Sequence, residues 1–364
     1  MEGKNYAKDS YPTIIMGAGL TGLRLASLLS KRGEKYLILE ARDRPGGRVR
    51  TTRTEEGTTL ELGATWFGEK HTALTGLLNE LELDRTAQHT GETAIYQPRK
   101  DQPAQLVHLP ANDAPSYRVA GGSDAIVRAL LATIPQENIA LGQAVVAVRK
   151  SGPLIEVDTV NTTYRANKVV STLPPRLLMK TVKFDPALPA ELATTASRTH
   201  TWMGDSIKVG LRYPAPFWLA DGAPGATVFA NEGPVTELYD HSDAANNSYA
   251  LKGFMDGAHH AATRAQRRDM MLAQLRGYYG AAVDAGFVYE EAVWRDESFT
   301  FVAYDGYVAP HQHNGAAVFR QPIWNGQFYL AGSETAADFP GYMDGAIRSA
   351  DWVAARLADQ HHAI

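Results

Sequence analysis

The sequence contains no cysteine, which excludes disulfides, thiolate nucleophiles and zinc or iron-sulfur centres held by cysteine. It lacks any stretch approaching the roughly 18 uninterrupted apolar residues of a membrane span. The opening residues, MEGKNYAKDSYP, are too polar for a signal peptide. A basic surplus is missing as well: 36 lysines and arginines against 40 aspartates and glutamates leave a net charge of -4. Neutralising many phosphates needs the opposite balance, so nucleic acid is not an expected partner. A soluble cytoplasmic protein without membrane contact is expected, acting as a monomer or homodimer.

What is present suits a packed globular chain. Hydrophobic residues make up 44% and charged residues 21%, a balance that argues against disorder and low-complexity repeats. At 364 residues the chain exceeds what one hydrophobic core usually serves, so two closely joined domains are expected.

The strongest local signal lies near the start. Thr13-Ile-Ile-Met16 is a short apolar, β-branched run of the kind that forms a buried parallel strand, and Gly17-Ala-Gly19-Leu-Thr-Gly22 follows it directly. In G-x-G-x-x-G the first glycine permits the tight turn, the second lets the backbone approach a pyrophosphate, and the third lets helix and strand pack closely. Leu20, Leu23, Leu25, Ala26 and Leu29 continue as an apolar helix face that Lys31-Arg-Gly33 stops. A second strand, Tyr36-Leu-Ile-Leu39, ends at Glu40, whose carboxylate can accept hydrogen bonds from ribose hydroxyls and would repel a 2′-phosphate. Together these elements specify a dinucleotide site that disfavours NADP, while leaving NAD and FAD open.

The next residues decide between them. Glu40-Ala-Arg42-Asp-Arg-Pro-Gly46-Gly47-Arg48 is followed by Glu61-Leu-Gly63-Ala64-Thr65-Trp66; further on come Gly121-Gly-Ser-Asp-Ala-Ile, Lys168-Val-Val-Ser-Thr-Leu-Pro174-Pro175, Phe328-Tyr-Leu-Ala-Gly332-Ser333-Glu334-Thr and Gly341-Tyr342-Met343-Asp-Gly345-Ala346. In this order and over nearly the whole chain, these segments resemble the flavin-containing amine oxidase superfamily, whose members include monoamine, polyamine and L-amino-acid oxidases. Members are usually longer, and the missing length falls mainly between residues 70 and 120.

The resemblance implies bound FAD, with Gly17, Ala18, Gly19, Thr21 and Gly22 around the pyrophosphate and Glu40 on the adenosine ribose. Arg42, Gly47 and Arg48 would line the same ligand, and the backbone at Val145 would hold adenine. Gly63, Ala64 and Thr65 would pass the flavin ring, with Gly332, Ser333, Glu334, Tyr342, Met343 and Ala346 closing the other side. Many members attach FAD through a cysteine before the last strand. The corresponding segment here, Tyr304 to His313, has none, so attachment is either noncovalent or through another residue such as histidine, and noncovalent binding is expected.

Amine oxidation removes two electrons and a proton from a C-H next to nitrogen, with flavin N5 taking the hydride equivalent. A neutral amine already donates electron density to the breaking bond, so no catalytic triad or carboxylate pair is required. By resemblance Lys208, in Gly204-Asp-Ser-Ile-Lys208-Val-Gly-Leu-Arg-Tyr213, is the lysine that reaches flavin N5 through a water. A buried ammonium there would have a lowered pKa and could assist oxygen reduction or imine hydrolysis. Tyr342 matches one of two aromatic rings that present the substrate nitrogen. The second is expected from Ser298 to Tyr304, with Phe301 and Tyr304 as candidates, and Trp66 beside the substrate passage. Glu69 is a weaker candidate for attracting a second positive charge. His259-His260 and His311-x-His313 lack further ligands at motif spacing and read as loop residues.

These readings give an α/β fold: a Rossmann-like FAD-binding domain (residues 1–72, 118–182 and 320–364) with a smaller mixed-sheet α+β substrate domain (73–117 and 183–319). Strands are expected over 206–213, 226–230 and 248–255 and a helix over 263–279, with the active site between the domains. The expected activity is oxidation of a primary or secondary amine to an imine, O2 being reduced to H2O2 and the imine hydrolysed to a carbonyl compound. Two other readings stay open: a flavin dehydrogenase or desaturase acting on C-C bonds, and a flavin-binding protein serving a partner.

Overall fold

Thr13, Ile14, Ile15 and Met16 are all buried, and the alternation of a strand sends them into two different cores. Ile15 joins Ile38, Val170 and Tyr329 on one face, packed against the helices Leu20–Lys31 and Met343–Asp359. Ile14 and Met16 join Leu37, Leu39, Val169 and Phe328 on the other face, with Leu178, Leu192 and Ala196 from the helices Pro175–Thr181 and Ala190–Ser197. A strand covered on both faces reads as a continuous apolar run, as this segment does. The structure, a computed structural model, describes residues 6–55, 57–111, 114–243 and 247–359. Residues 1–5 and 360–364 of the expected end segments lie outside the described residues.

The first sheet has the order Ile139–Ala140, Tyr36–Leu39, Tyr6–Met16, Thr163–Ser171, Leu154–Thr159, Val145–Ser151, Lys183–Asp185, with Phe328–Leu330 also pairing with Thr163–Ser171. The pairings among Ile139–Ala140, Tyr36–Leu39, Tyr6–Met16, Thr163–Ser171 and Phe328–Leu330 are parallel. Here is the expected Rossmann-like α/β layer. Its strands converge on the turn at Gly17, where ligands of open α/β sheets bind.

The second sheet runs Val288–Val293, Ile207–Tyr213, Tyr249–Met255, Val235–Asp240, Val228–Ala230, Thr93–Gln97, Gln105–His108. Helix Arg264–Tyr279 covers one face through Met271, Leu272 and Leu275. Thr263 caps it in a reciprocal box with Gln266, which satisfies two otherwise orphaned backbone donors. The three strands and the helix read from the sequence therefore start within two residues of their observed positions. Packing also refines where the chain crosses between layers. Helix Thr72–Glu80 buries Leu74, Leu77 and Leu78 in the first core and is tied to it by Leu74 N donating to Asp344 Oδ1 at 2.9 Å. Strand Lys183–Asp185 and helix Ala190–Ser197 likewise stay with the first sheet.

The crossing of the first strand and first helix depends on Gly22. A β-carbon there would overlap the carbonyl oxygen of Gly17, so this glycine sets how closely helix and strand approach. Gly22→Ala is expected to destabilise the protein by about 1–3 kcal/mol through overpacking. Urea unfolding measures this, and an unchanged midpoint would show that the contact is not tight.

Candidate active site

A cavity of about 980 Å³ runs between the two sheets. One end is built from the turn that follows the first strand. Gly17, Gly19 and Thr21 line it, and a β-carbon at Gly19 would meet nothing within 4 Å. Helix Leu20–Lys31 begins here with no side chain capping its N-terminus, so its free N-H groups and dipole face the cavity and favour an anion. Thr21 Oγ1 donates to the Ala346 carbonyl at 3.1 Å and ties the first helix to the last. Glu40 is buried, its carboxylate accepting from Ala18 N at 2.7 Å and Arg42 N at 2.9 Å. Gly47, Arg48 and Val145 also line this end, whereas Ala18 and Gly22 lie behind the wall.

Arg48 crosses the cavity to Glu334. The contact is bidentate, with Nη1 to Oε1 at 2.6 Å and Nη2 to Oε2 at 2.9 Å, and Glu334 is wholly buried. Burial opposes the Glu334 charge, yet the Arg48 guanidinium and the Ser333 hydroxyl together hold its carboxyl below the usual range. Arg48 also donates to Ser333 Oγ at 2.9 Å and to the Trp202 carbonyl at 3.0 Å. Glu334 and Gly332 thus stand behind the wall that Ser333, Tyr342, Met343 and Ala346 form.

Midway along the cavity the chain turns through Gly63, Ala64 and Thr65, all in its lining. Lys208 reaches this turn from strand Ile207–Tyr213 and donates through Nζ to the Gly63 carbonyl. It lies 5.3 Å from the Phe254 ring centroid and is only 4% exposed. Burial, partly opposed by Glu61, pushes the Lys208 ammonium down to about 8.

Beyond the turn the lining becomes aromatic. Trp66 meets Tyr239 edge-on at 5.2 Å and Phe254 at 5.9 Å, and its Nε1 donates to Gln88 Oε1 at 2.7 Å. Among these rings sits one carboxylate, Glu237, which accepts from the Tyr239 hydroxyl at 2.7 Å. Glu69 has no such place: it is exposed, paired with Arg85 at 3.0 Å and absent from the lining.

The structure places the two candidates for the ring opposite Tyr342, Phe301 and Tyr304, outside the cavity lining. Phe301 packs edge-on against Tyr304 at 5.2 Å, and the Tyr304 hydroxyl accepts from Thr201 N at 3.1 Å while its ring stacks on His200. The physical reason is Arg42, which holds Glu297 Oε2 at 3.1 Å and Thr300 Oγ1 at 2.8 Å. That grip draws residues 298–300 over the dinucleotide end of the cavity, and the two aromatic rings that follow are turned away. The ring beside Tyr342 is instead Trp202, in the lining at 5.6 Å between centroids and 43° between planes. His311 stacks on Trp202 at 3.9 Å and faces Tyr342 at 5.8 Å. Trp202 lies in an irregular segment with no periodic pattern, so only its neighbour Gly204-Asp-Ser-Ile-Lys208 gave a sequence signal for this region. No group of three or more metal-ligating side chains occurs among the described residues.

The chain matches the family model for flavin containing amine oxidoreductases over residues 20–112 and 100–358. The chain belongs to that family. It is therefore an enzyme, a flavin-dependent amine oxidoreductase. Among relatives, this oxidoreductase is 24% identical to a probable flavin-containing monoamine oxidase A from Dictyostelium discoideum, across 96% of this chain and 98% of the relative. It is 23% identical to a flavin-containing amine oxidase B from Canis lupus familiaris, across 94% and 85%. Its fold matches putrescine oxidase with a TM-score of 0.81 at 22% identity, covering 96% of this chain and 99% of that one. Cyclohexylamine oxidase from Brevibacterium oxydans matches with a TM-score of 0.83 at 20% identity, covering 97% and 100%. No helix among the described residues is long and apolar enough to cross a membrane.

The residues fit a flavin dinucleotide. Open space before Gly19, an uncapped helix end and a buried acid suit a pyrophosphate and a ribose, and the cavity continues from them to the Gly63 turn.

Lys208 carries a measurable signature. Its unfolded pKa is about 10.4, so between about 8 and about 10.4 the unfolded chain binds the extra proton and stability rises with pH. The cost of burying Lys208 is complete below the lower value and gone above the upper one. In Lys208→Met the change in unfolding free energy relative to the native chain is expected to be more favourable at pH 7 than at pH 10.5 by about 3 kcal/mol. Urea unfolding at the two pH values reads this, and equal changes at both would contradict the depressed lysine.

Proposed function

We propose that this enzyme is an oxidase that binds FAD noncovalently and converts a primary amine bearing a second positive charge, a diamine or polyamine, into an imine. The observation that carries the reading is the continuity of one cavity from the glycine turn, past Lys208, to the aromatic end that holds Glu237. Bound flavin supplies the two-electron acceptor for the C-H next to nitrogen, O2 then taking the electrons to give H2O2. The protein's own part is positional. Tyr342 and Trp202 would present the amine nitrogen between their faces, where no charged side chain competes for its lone pair. The Glu237 carboxylate, in the cavity lining beside Trp66, Tyr239 and Phe254, would attract the distal ammonium and set substrate length. Putrescine is the ligand named for one of the structurally similar enzymes, and a diamine of that kind suits such a two-ended site.

Noncovalent attachment is supported by the absence of cysteine and by the engagement of nearby His311 in stacking on Trp202. The cytoplasm remains the compartment we favour.

Purified protein is expected to be yellow and to release its flavin as free FAD on acid precipitation; colour retained in the pellet would mean a covalent link. Under anaerobic conditions diamines are expected to bleach the flavin at concentrations about tenfold lower than monoamines of equal length, matching the 1.4 kcal/mol that a single exposed-to-buried charge contact readily contributes. Glu237→Gln should remove that preference and leave monoamine bleaching intact. Equal reduction by both amine types in the native enzyme would sink the assignment of Glu237.

A further inference from the structure

Lys208 has a companion. Strands Ile207–Tyr213 and Tyr249–Met255 are antiparallel, with Lys208 opposite Phe254 and Gly210 opposite Lys252. Residues at these positions share a face of the sheet, so Lys208 and Lys252 are diagonal neighbours on the face turned to the Gly63 turn. Between them Gly210 has no side chain, and Leu60 fills the space. Lys252 is completely buried. Its Nζ donates to Thr65 Oγ1 and lies 4.2 Å from the Trp66 ring centroid. Thr65 Oγ1 in turn donates to the Gly63 carbonyl at 3.1 Å, the same oxygen that accepts from Lys208. The two amines are therefore joined by a three-bond path through the turn that lines the middle of the cavity.

One carboxylate is buried with them. Glu61 is 2% exposed; its Oε1 accepts from Ser123 N at 2.5 Å and Thr51 Oγ1 at 2.9 Å, while Oε2 has no hydrogen-bond partner among the described residues. The other charged or titratable groups around this pocket are Asp124, Arg118, Arg212 and His241, with Asp240 and Asp243 acting on Arg118. His241 accepts from Glu61 N at 3.3 Å, and its burial beside these cations pushes its own protonation far down. Arg212 is already matched by Glu290 at 2.8 Å. Lys208 and Lys252 thus share a dry region with one half-satisfied carboxylate whose charge acts on both.

We propose that Lys252 is a positioning residue for Lys208: by competing for Glu61 it governs whether Lys208 carries a proton, while its own end fixes Thr65 and Trp66 against the cavity. Burial and the like charge of Lys208 push Lys252 down, and burial pushes Glu61 up. The functional consequence rests on the reading that Lys208 faces bound flavin. Its charge near the site of oxygen reduction would then be tuned from the far side of the Gly63 turn, by residues that touch neither flavin nor amine.

The test is a pH titration of the FAD-loaded protein with 13Cε-labelled lysine, followed by NMR, the Lys208 signal being identified by its loss in Lys208→Met. Lys252→Met is expected to move the Lys208 midpoint to higher pH by about tenfold in proton concentration, and Glu61→Gln to move it the opposite way by a similar factor. The alkaline limb of kcat/KM should follow in the same directions. A merely structural lysine would alter flavin content or melting temperature and leave the midpoint where it was. Midpoints unchanged in both variants, or shifted in the same direction, overturn the proposal; Lys252→Gln serves the same comparison if the methionine variant does not fold. Because the NMR readout needs no turnover, opposite shifts without amine-driven flavin reduction would uphold the coupling and discard the amine reading.

Discussion

The Arg48–Glu334 ion pair is the contact on which the site depends. Arg48 follows the second strand of the first sheet, Glu334 follows the last strand, and the Trp202 carbonyl belongs to the segment leading into the second sheet. One guanidinium thereby fixes three stretches more than 100 residues apart. Two charges taken out of water repay their desolvation only with good geometry and with their remaining donors and acceptors satisfied. Here the fork is bidentate, Ser333 and Trp202 take the other donors, and Glu334 receives a further bond from Ser333 Oγ at 2.8 Å. Removing one partner from such a pair typically costs about 3–5 kcal/mol, enough to loosen all three segments together. The wall that carries Trp202 and Tyr342 is thus anchored from the dinucleotide side.

That anchoring explains which parts of the site could be read in the sequence. The glycine turn, Glu40, Arg48, the Gly63 turn and the Tyr342 segment are local: each is set by residues within a few positions, because close backbone approach and hydrogen bonding admit few residue types. Lys208 is located by family resemblance alone: its strand, Ile207–Tyr213, is buried throughout, so no alternation in the strand singles the lysine out. Strands such as Val235–Asp240 and Thr93–Gln97 were not legible. They are short and mix buried with half-buried positions, and in Val235–Asp240 Glu237 and Tyr239 face the cavity, which weakens the contrast between core and solvent positions.

The second ring shows where local pattern stops being informative. Phe301 and Tyr304 have the right residue types in a segment near the cavity, yet residues 298–300 are held by Arg42 at the other end. No pattern within 298–304 encodes an arginine 255 positions away. Trp202, Glu237 and Lys252 were missed for a related reason, since each takes its meaning from a partner on a different strand or loop. Helix and strand periods predict which side of an element is buried; they do not predict what a buried side chain faces.

The Gly63 turn shows how the two ends of the cavity are joined. A β-carbon at Gly63 would overlap the Arg48 carbonyl, and Gly63 N and Ala64 N donate to the Arg50 and Arg48 carbonyls at 3.0 Å, so the turn is held against the dinucleotide side. The same turn receives Lys208 at the Gly63 carbonyl and Lys252 at Thr65, and then passes directly into Trp66. Its position is consequently set from the first sheet and its polarity from the second. A change in the protonation of either lysine alters hydrogen bonds to a segment tied down by its own backbone bonds, and it also changes the electrostatics at the cavity surface. In a dry site charges are weakly screened, and this is where two buried amines behind one turn have their greatest leverage.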